Sequence, residues 1–277
     1  MNLFDAAIMG VVEGATEFLP ISSTGHLIVA GSLLGIHDER GKVFEIAIQI
    51  GAIFAVIWAY RGRFNGAIRG VTRVANAQRF LWNLFVAFVP IAVLGLLLSK
   101  TIKTYLFNPY GVAAASIAGA LVIFWVERPS MLADRAVNAR VRDVDDMTTL
   151  DALKVGFAQC FGLIPGMSRS GSTLIGGLLF GLSRNVATEF SFFLGVPTLA
   201  AASVYSLWKD RALLSVNDLP AFAVGTVVSF IVALVVIRWL IRFVATHSLR
   251  VFAWYRIAFG ALILAAGAFG WVSWPQS

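Results

Sequence analysis

EGATEFLPISSTGHLIVAGSLLG, residues 13–35, decides the fold because it sets charged and polar side chains inside an otherwise apolar run. The run before the break at Pro20 is about 16 residues, or roughly 24 Å of helix, which is shorter than a hydrocarbon core of about 30 Å. Ser22 is a good N-cap for a second short helix after the break. Residues 3–36 therefore predict a re-entrant helical hairpin with residues 20–25 at its tip.

The rest of the chain has the composition of an integral membrane protein. Of its 277 residues, 58% are hydrophobic and 13% are charged, and the mean hydropathy is +0.81. A soluble core cannot bury that much apolar surface. The net charge of +7 is typical of basic loops beside anionic lipid, so we expect the lipid bilayer and not nucleic acid as the partner.

A second copy of the pattern begins 146 residues later in the chain. The matched pairs are Glu13 with Gln159, Ser22 with Ser168, Gly25 with Gly171, Gly31 with Gly177, Gly35 with Gly181 and Phe44 with Phe190. The segment IPGMSRSGST, residues 164–173, is then the counterpart of the first tip. Residues 151–182 accordingly predict a second re-entrant hairpin, and the whole pattern indicates a duplication.

Three apolar segments follow each hairpin, which completes an all-α polytopic membrane protein. We predict a first repeat over 1–127 with spans at 43–60, 80–99 and 109–126, a cytoplasmic linker loop over 128–150, and a second repeat over 151–277 with spans at 186–208, 219–241 and 251–271. Three spans per half is an odd number, so the two halves have inverted topology. The two tips should therefore meet near the membrane midplane.

The charges of the loops predict which side faces the cytoplasm. Loops at 61–80, 127–154, 183–186 and 238–250 share one face and carry 14 lysines and arginines, whereas the opposite loops carry six. Basic loops mark the cytoplasmic side of a membrane protein. Both termini should therefore lie outside the cytoplasm.

Glu13 and Glu17 lie four residues apart, on one face of one helix. A carboxylate at membrane depth costs about 3 kcal/mol, so the pair needs compensation unless it stands at a wet interface. Mg²⁺ or Ca²⁺ would supply it, since both favour oxygen ligands and Mg²⁺ commonly joins carboxylates to substrate phosphate. Glu45 and Gln49 on the next span are further ligands or supports, or instead pack against Arg256.

Both tips place hydroxyl-bearing residues at the N-terminus of a half-helix, where free N–H groups and the helix dipole favour a phosphate. Simple capping is the alternative, but Arg169 adds a guanidinium fork that matches phosphate oxygens. The residues predicted to bind phosphate are Ser22, Thr24, Gly25, Gly166, Ser168, Arg169, Ser170, Gly171 and Thr173. Two such tips with two carboxylates indicate a metal-bound diphosphate.

His26 follows the first tip directly and is a candidate nucleophile or proton donor in phosphoryl transfer. Ser23 is the competing nucleophile, and either residue could position water instead. A buried imidazole with satisfied hydrogen bonds is the alternative for His26.

The motifs EGATEFLPISSTGH and PGMSRSGST closely resemble the undecaprenyl-diphosphate phosphatase family, also called the bacitracin-resistance protein BacA family, over essentially the whole chain. The family's motif residues fall on Glu13, Glu17, Ser22, Ser23, His26, Pro165, Gly166, Ser168, Arg169, Ser170 and Thr173. The resemblance implies removal of the terminal phosphate from undecaprenyl diphosphate, which recycles the lipid carrier of peptidoglycan synthesis and confers bacitracin resistance. It also implies an Mg²⁺- or Ca²⁺-dependent enzyme of the inner membrane, a site open to the periplasm and a homodimer.

Together these interpretations give a mechanistic hypothesis. Glu13 and Glu17 hold the cation and orient a base, the tip amides and Arg169 bind the diphosphate and stabilise the transferring phosphoryl group, and Ser23 or His26 attacks or positions water. Inverted repeats with half-helices at the midplane are also a transporter design, so a flippase of a lipid phosphate or another anion is the alternative. A scaffold of an envelope-synthesis complex is a third hypothesis, which leaves the deep carboxylates and Arg169 without a role.

Overall fold

A computed structural model gives the fold and describes residues 1–36, 39–131, 138–213, 215–269 and 271–272. Within these ranges the regular structure is helical, with no strand beyond an isolated bridge between Val141 and Leu182. The helices are α1 (Leu3–Thr16), α2 (Ser23–Leu33), α3 (Glu39–Ala59), α4 (Arg61–Gly70), α5 (Ala75–Leu106), α6 (Pro109–Val126), α7 (Thr149–Gln159), α8 (Arg169–Leu179), α9 (Arg184–Lys209), α10 (Leu219–Thr246) and α11 (Arg250–Ala268).

Five of the described helices, α5, α6, α9, α10 and α11, are long and apolar enough to cross a membrane. A sixth span is obtained if α3 and α4, which are bent by 76° at Tyr60, count as one. The all-α polytopic class is thereby confirmed. Helix α6 covers the predicted span at 109–126, and α5 extends beyond the predicted span at 80–99 at both ends, through charged residues that can stay helical in the interface.

The basic segment predicted as a loop at 61–80 contains a helix instead. Helix α4 carries Arg61, Arg63 and Arg69, buries Ala67 and exposes Ile68. A short helix with arginines on one side and apolar residues on another is typical of the membrane interface. The prediction missed α4 because its apolar residues are too few to stand out beside the spans.

The second arms of the two hairpins have the same backbone. Helices α2 and α8 begin and end at positions 146 residues apart, and the serine before each, Ser22 or Ser168, has φ of 74°. Positive φ is uncommon for a residue with a side chain and is found where the surrounding structure imposes it. Gly35 and Gly181, also 146 residues apart, follow the ends of these helices and have φ of 71° and 90° themselves. The inverted orientation of the halves across the membrane stays a prediction.

Helices of the two halves pack into one another. Helix α10 lies against α1 and α3, α11 against α6, and α7 against α5. The approach of α1 to α10 requires glycine, since a Cβ on Gly14 would come within 2.5 Å of the Ser229 carbonyl oxygen. The core is therefore shared by both halves.

The linker predicted at 128–150 is not a simple solvated loop where the structure describes it; residues 132–137 lie outside the described ranges. Val141, Val144 and Met147 are buried in the core. Asn83 Nδ2 of α5 donates a hydrogen bond of 2.9 Å to the Met147 carbonyl. Apolar residues interleaved with the charges hold this segment on the end of the helical bundle.

Candidate active site

The tips of the two hairpins touch, as predicted. Ser170 Oγ donates a hydrogen bond of 2.9 Å to the Leu19 carbonyl, and Ser168 Oγ lies 3.5 Å from the same oxygen. Ser168 also accepts a bond of 3.1 Å from the Gly171 N–H and so caps α8. These hydroxyls, predicted to bind phosphate, bond to the protein itself.

Helix α2 differs from α8 at this point, because Ser22 makes no side-chain hydrogen bond to the first turn. The N–H groups at the start of an uncapped helix remain available to an anion. The two tips, both predicted to bind phosphate, therefore differ in their helix caps. The first tip has the open helix N-terminus, and the second supplies Arg169.

The arginine Arg256 of α11 holds the tips together. Its side chain is 1% exposed and donates five hydrogen bonds of 2.9–3.2 Å to backbone carbonyls. The acceptors are Pro20, Ala115, Ser116, Gly166 and Met167. Both tips and helix α6 are therefore fixed to one guanidinium. Packing of Arg256 with Glu45 and Gln49 was one prediction, but the guanidinium bonds to these carbonyls instead.

Glu17 is the centre of the cluster formed by the two hairpins. Its side chain is 6% exposed, and its Oε1 pairs with Arg169 Nη2 at 3.0 Å across the two hairpins. Oε2 accepts a hydrogen bond of 2.6 Å from Ser23 Oγ at the start of α2. A hydroxyl that donates to a buried carboxylate has the geometry of a nucleophile beside its base.

Arg169 occupies a space that glycines leave open. A Cβ on Gly195 would lie 2.8 Å from Nη1, and one on Gly162 would lie 2.7 Å from the Arg169 Cα. Nη1 donates to the Ser191 carbonyl at 3.2 Å. Nε is buried and has no hydrogen-bond partner among the described residues. This donor is free for a phosphate oxygen.

His26 has partners outside the Glu17 cluster. Its Nδ1 lies 2.7 Å from the Ser22 carbonyl, so Nδ1 carries a proton and donates it. Its Nε2 lies 2.7 Å from the hydroxyl of Tyr255, and the ring stacks on Phe259 at 3.9 Å between centroids. Tyr255 was not predicted from the sequence, where the adjacent Arg256 is its only signal.

Glu13 is fully buried, and neither carboxylate oxygen has a hydrogen-bond partner in the described part of the chain. Glu17, Glu45 and Arg169 lie near enough to interact with it electrostatically. An orphaned carboxylate of this kind fits a divalent cation. Since the described residues contain no group of three or more acids, histidines or cysteines placed to hold a metal, phosphate oxygens and water would complete the coordination.

The remaining predicted residues serve the packing of the tips. Thr173 lies 2.5 Å from Ser191 Oγ and bonds carbonyls of its own helix. A Cβ on Gly171 would lie 3.3 Å from Pro20, and one on Gly25 would lie 3.2 Å from Phe259. Gly166, with φ of 93°, lies against the Val112 carbonyl of α6, where any side chain would collide.

Half-buried positions account for the rest of the prediction. Thr24 follows Ser23 in the first turn of α2, and Glu45 and Gln49 lie on α3. Of these, Glu45 is the one whose charge acts on Glu13.

Known proteins are similar to this chain over nearly its whole length. The sequence model of the family described as Bacitracin resistance protein BacA matches residues 6–262. An undecaprenyl-diphosphatase of Dechloromonas aromatica is 57% identical over 272 residues, which cover 98% of this chain and 97% of the relative. One of Methylibium petroleiphilum is 59% identical over 280 residues, 99% and 98% of the two chains. Undecaprenyl-diphosphatase 2 of Rhodospirillum rubrum is 58% identical over 273 residues, 98% and 97% of the two chains.

Proposed function

The chain belongs to the family of the bacitracin resistance protein BacA, and we infer from this that it is an undecaprenyl-diphosphatase of the membrane. It hydrolyses undecaprenyl diphosphate to undecaprenyl phosphate and inorganic phosphate and so recycles the lipid carrier. The main support for this function at the site is that Glu17 contacts both Ser23 and Arg169, although the two hairpins are far apart in sequence. Carboxylate, hydroxyl and guanidinium are the groups that phosphoryl transfer requires.

We propose that Ser23 is the nucleophile. Its Oγ attacks the terminal phosphorus while Glu17 accepts its proton, and the bond from that phosphorus to the bridging oxygen breaks. Undecaprenyl phosphate leaves with the bridging oxygen, and water then hydrolyses the phosphoserine to release inorganic phosphate. The hydrogen bond of 2.6 Å between Ser23 and Glu17 favours Ser23 over His26, whose ring is held by Ser22 and Tyr255.

Arg169 and the open N-terminus of α2 bind the phosphate in this proposal. The unpartnered Nε of Arg169 supplies one donor, and the uncapped first turn of α2 supplies others. Both are fixed before substrate arrives, so they stabilise charge on the transferring group without reorganisation. The prenyl tail would lie between helices, in lipid.

A divalent cation, Mg²⁺ or Ca²⁺, is proposed as cofactor, with Glu13 as its protein ligand. When bound, it would neutralise charge on the diphosphate. Glu17 is less suited to this role than the sequence suggested, because both its oxygens are engaged. Glu45 is the further candidate.

The proposed location is the bacterial inner membrane, with the site and both termini facing the periplasm. The excess of basic residues in the loops on the opposite side supports this orientation. A homodimer is proposed from the family resemblance alone.

The test is phosphate release from undecaprenyl diphosphate by purified protein, with and without Mg²⁺ or Ca²⁺. We expect Glu17→Gln, Ser23→Ala and Arg169→Ala each to reduce kcat by at least about a hundredfold. Glu13→Gln should instead raise the metal concentration needed for half-maximal rate. A folded wild-type protein that releases no phosphate would contradict the enzyme assignment and favour lipid or anion transport.

A further inference from the structure

A groove lies on the outer surface of the bundle, where α3 and α10 diverge. Its volume is about 460 Å³, within the range of about 300–1,000 Å³ usual for ligand sites. Phe54, Ile57, Val227 and Phe230 form its apolar walls. Neither Glu17 nor Arg169 lines this groove, so it is separate from the site described above.

The two helices make the floor of the groove by backbone contact. A Cβ on Gly51 would collide with the Thr226 carbonyl, so glycine at 51 is needed for α3 and α10 to meet there. Beyond this contact the bulky residues of the two helices stand apart and leave the groove between them. Such an opening holds a chain-like apolar ligand better than a flat helix face does.

One end of the groove is polar and basic. There Arg61 and Asn65 of α4 join Trp58 in the lining, because the 76° bend after α3 turns α4 across the opening. Trp58 is 53% exposed, and the Arg61 guanidinium lies 5.3 Å from its ring. An exposed tryptophan beside arginine is typical of the level of lipid headgroups.

The charge of Arg61 is uncompensated within the described part of the chain. Nη1 donates to the Trp58 carbonyl at 3.1 Å, and no carboxylate pairs with Arg61 there. By contrast, Arg63 of the same helix pairs with the carboxylate of Asp145. Arg61 thus keeps donors for an external anion, next to an apolar groove.

We propose that this groove binds one anionic phospholipid, with an acyl chain between α3 and α10 and the phosphate on Arg61. This lipid would not be a substrate molecule bound for hydrolysis, because in the proposed function the substrate's diphosphate lies beside Glu13 and Glu45, not beside Arg61. Along α3, Glu45 and Trp58 are about 20 Å apart, most of a hydrocarbon core. The charged ends of the two ligands would therefore lie at different depths of the membrane.

The test measures lipid retention by the full-length protein in detergent, using native mass spectrometry with dioleoyl phosphatidylglycerol or dioleoyl phosphatidylcholine. We expect one phosphatidylglycerol to be retained, and Arg61→Gln to weaken its binding about fivefold, the effect of one arginine at an anionic lipid surface. Arg69→Gln is the matched control, because it removes an exposed arginine of the same helix that does not line the groove. It should bind as wild type does.

A second variant tests the groove itself without changing charge. Val227→Trp fills it from the lipid-exposed side, where bulk is tolerated, and should also reduce retention. Equal retention of the two lipids, or equal loss in Arg61→Gln and Arg69→Gln, would overturn the proposal and indicate ordinary annular lipid. Displacement of phosphatidylglycerol by equimolar undecaprenyl phosphate would overturn it in favour of a prenyl-lipid site.

Discussion

Glu13 and Glu17 lie one helical turn apart, yet the protein surrounds them differently. Glu17 is neutralised by Arg169 and receives the Ser23 hydroxyl, whereas Glu13 is buried without a hydrogen-bond partner in the described chain. A buried carboxylate without compensation is costly. In the proposed mechanism the two carboxylates therefore have different roles, Glu17 accepting the proton of Ser23 and Glu13 binding a cation.

Tyr255 is expected to hold the His26 ring and, through the hydrogen bond from His26 to the Ser22 carbonyl, the turn that places Ser23 beside Glu17. Its hydroxyl can donate to Nε2 while the Ser22 carbonyl takes the proton of Nδ1, which fixes one tautomer of the ring. Loss of one such hydrogen bond costs about 1 kcal/mol, so Tyr255→Phe should lower kcat about fivefold with little change in KM. In ¹⁵N spectra of histidine-labelled protein, the His26 resonances should shift.

The control for this prediction is Tyr110→Phe, which removes an exposed hydroxyl from α6. It should leave kcat and the histidine spectrum unchanged. Unaltered His26 resonances in Tyr255→Phe would contradict the positioning role.

At the scale of elements, glycines let helices approach the buried arginines. Gly195→Ala would bring a methyl group within 2.8–2.9 Å of the Arg169 guanidinium and displace it from Glu17. We expect kcat to fall at least about a hundredfold, as when a preorganised donor is lost. Gly95→Ala is the control, since its Cβ would make an ordinary contact of 3.6 Å with Leu163.

A double variant decides whether the effect of Gly195→Ala passes through the guanidinium. Gly195→Ala combined with Arg169→Ala should be no slower than Arg169→Ala alone. Multiplying losses would show that Gly195→Ala acts through some other part of the site.

The linker segment before α7 is anchored to α4 by an ion pair. A hydrogen bond from Arg63 holds the pKa of Asp145 below its usual value. Ionised Asp145 therefore stabilises the anchored segment above the unfolded pKa of about 3.9, and this contribution is lost as pH falls through the lower folded pKa. Because the side chains of Arg63 and Asp145 are about a third exposed, their ion pair contributes less than about 1 kcal/mol to stability.

Hydrogen exchange over residues 138–148 should therefore speed up as the pH falls below about 4, after correction for the intrinsic rate. Asp145→Asn should show the faster exchange at neutral pH and no further change in acid. Asp146→Asn, the neighbouring control, should behave as wild type. Exchange that is independent of pH in the wild type would contradict the anchoring role of Asp145.

The local elements of this fold were predictable because their signals are short-range. Pro20 and the serine turns act within a few residues, and they predicted both hairpins and their tips. Pairing between distant residues has no such signal. Glu17 and Arg169 are 152 positions apart, and each had been expected to bind a ligand, not the other.

The role of Arg256 was unpredictable for a related reason. All five hydrogen bonds that Arg256 donates go to backbone carbonyls, and every residue has a carbonyl. No pattern of side chains therefore marks where such an arginine binds. Its location in an apolar span was the one visible sign that it must be satisfied inside the protein.

At the scale of the whole molecule, the duplicated halves form one packed unit. Helix α10 of the second half lies against α1 and α3 of the first, and α11 lies against α6. Arg169 and Glu17 likewise come from different halves. Neither half alone would bury its core or complete the site, so the site depends on the association of both.

A buried ion pair joins the two halves where α6 ends and α9 begins. Glu127, after α6, is fully buried; it pairs with Arg184 Nη1 at 2.6 Å and accepts a hydrogen bond from Ser248 Oγ at 2.7 Å. Arg184 also donates to the carbonyls of Val244 and His247, each at 2.7 Å. The ends of α6, α9, α10 and α11 thus meet at one pair of charges.

Removing Glu127 strands the charge of Arg184, whose side chain is 22% exposed and keeps two carbonyl acceptors, so Glu127→Gln should destabilise the protein by about 1–3 kcal/mol. Unfolding in detergent would measure this loss, with Glu127→Gln/Arg184→Gln completing a double-mutant cycle. The double variant should lose less than the sum of the single losses, because neither charge is then stranded. Phosphate release per folded molecule should stay near the wild-type value, since the pair contacts none of the tip residues. Additive losses would mean that Glu127 and Arg184 act independently, and that shared core packing alone holds the halves together.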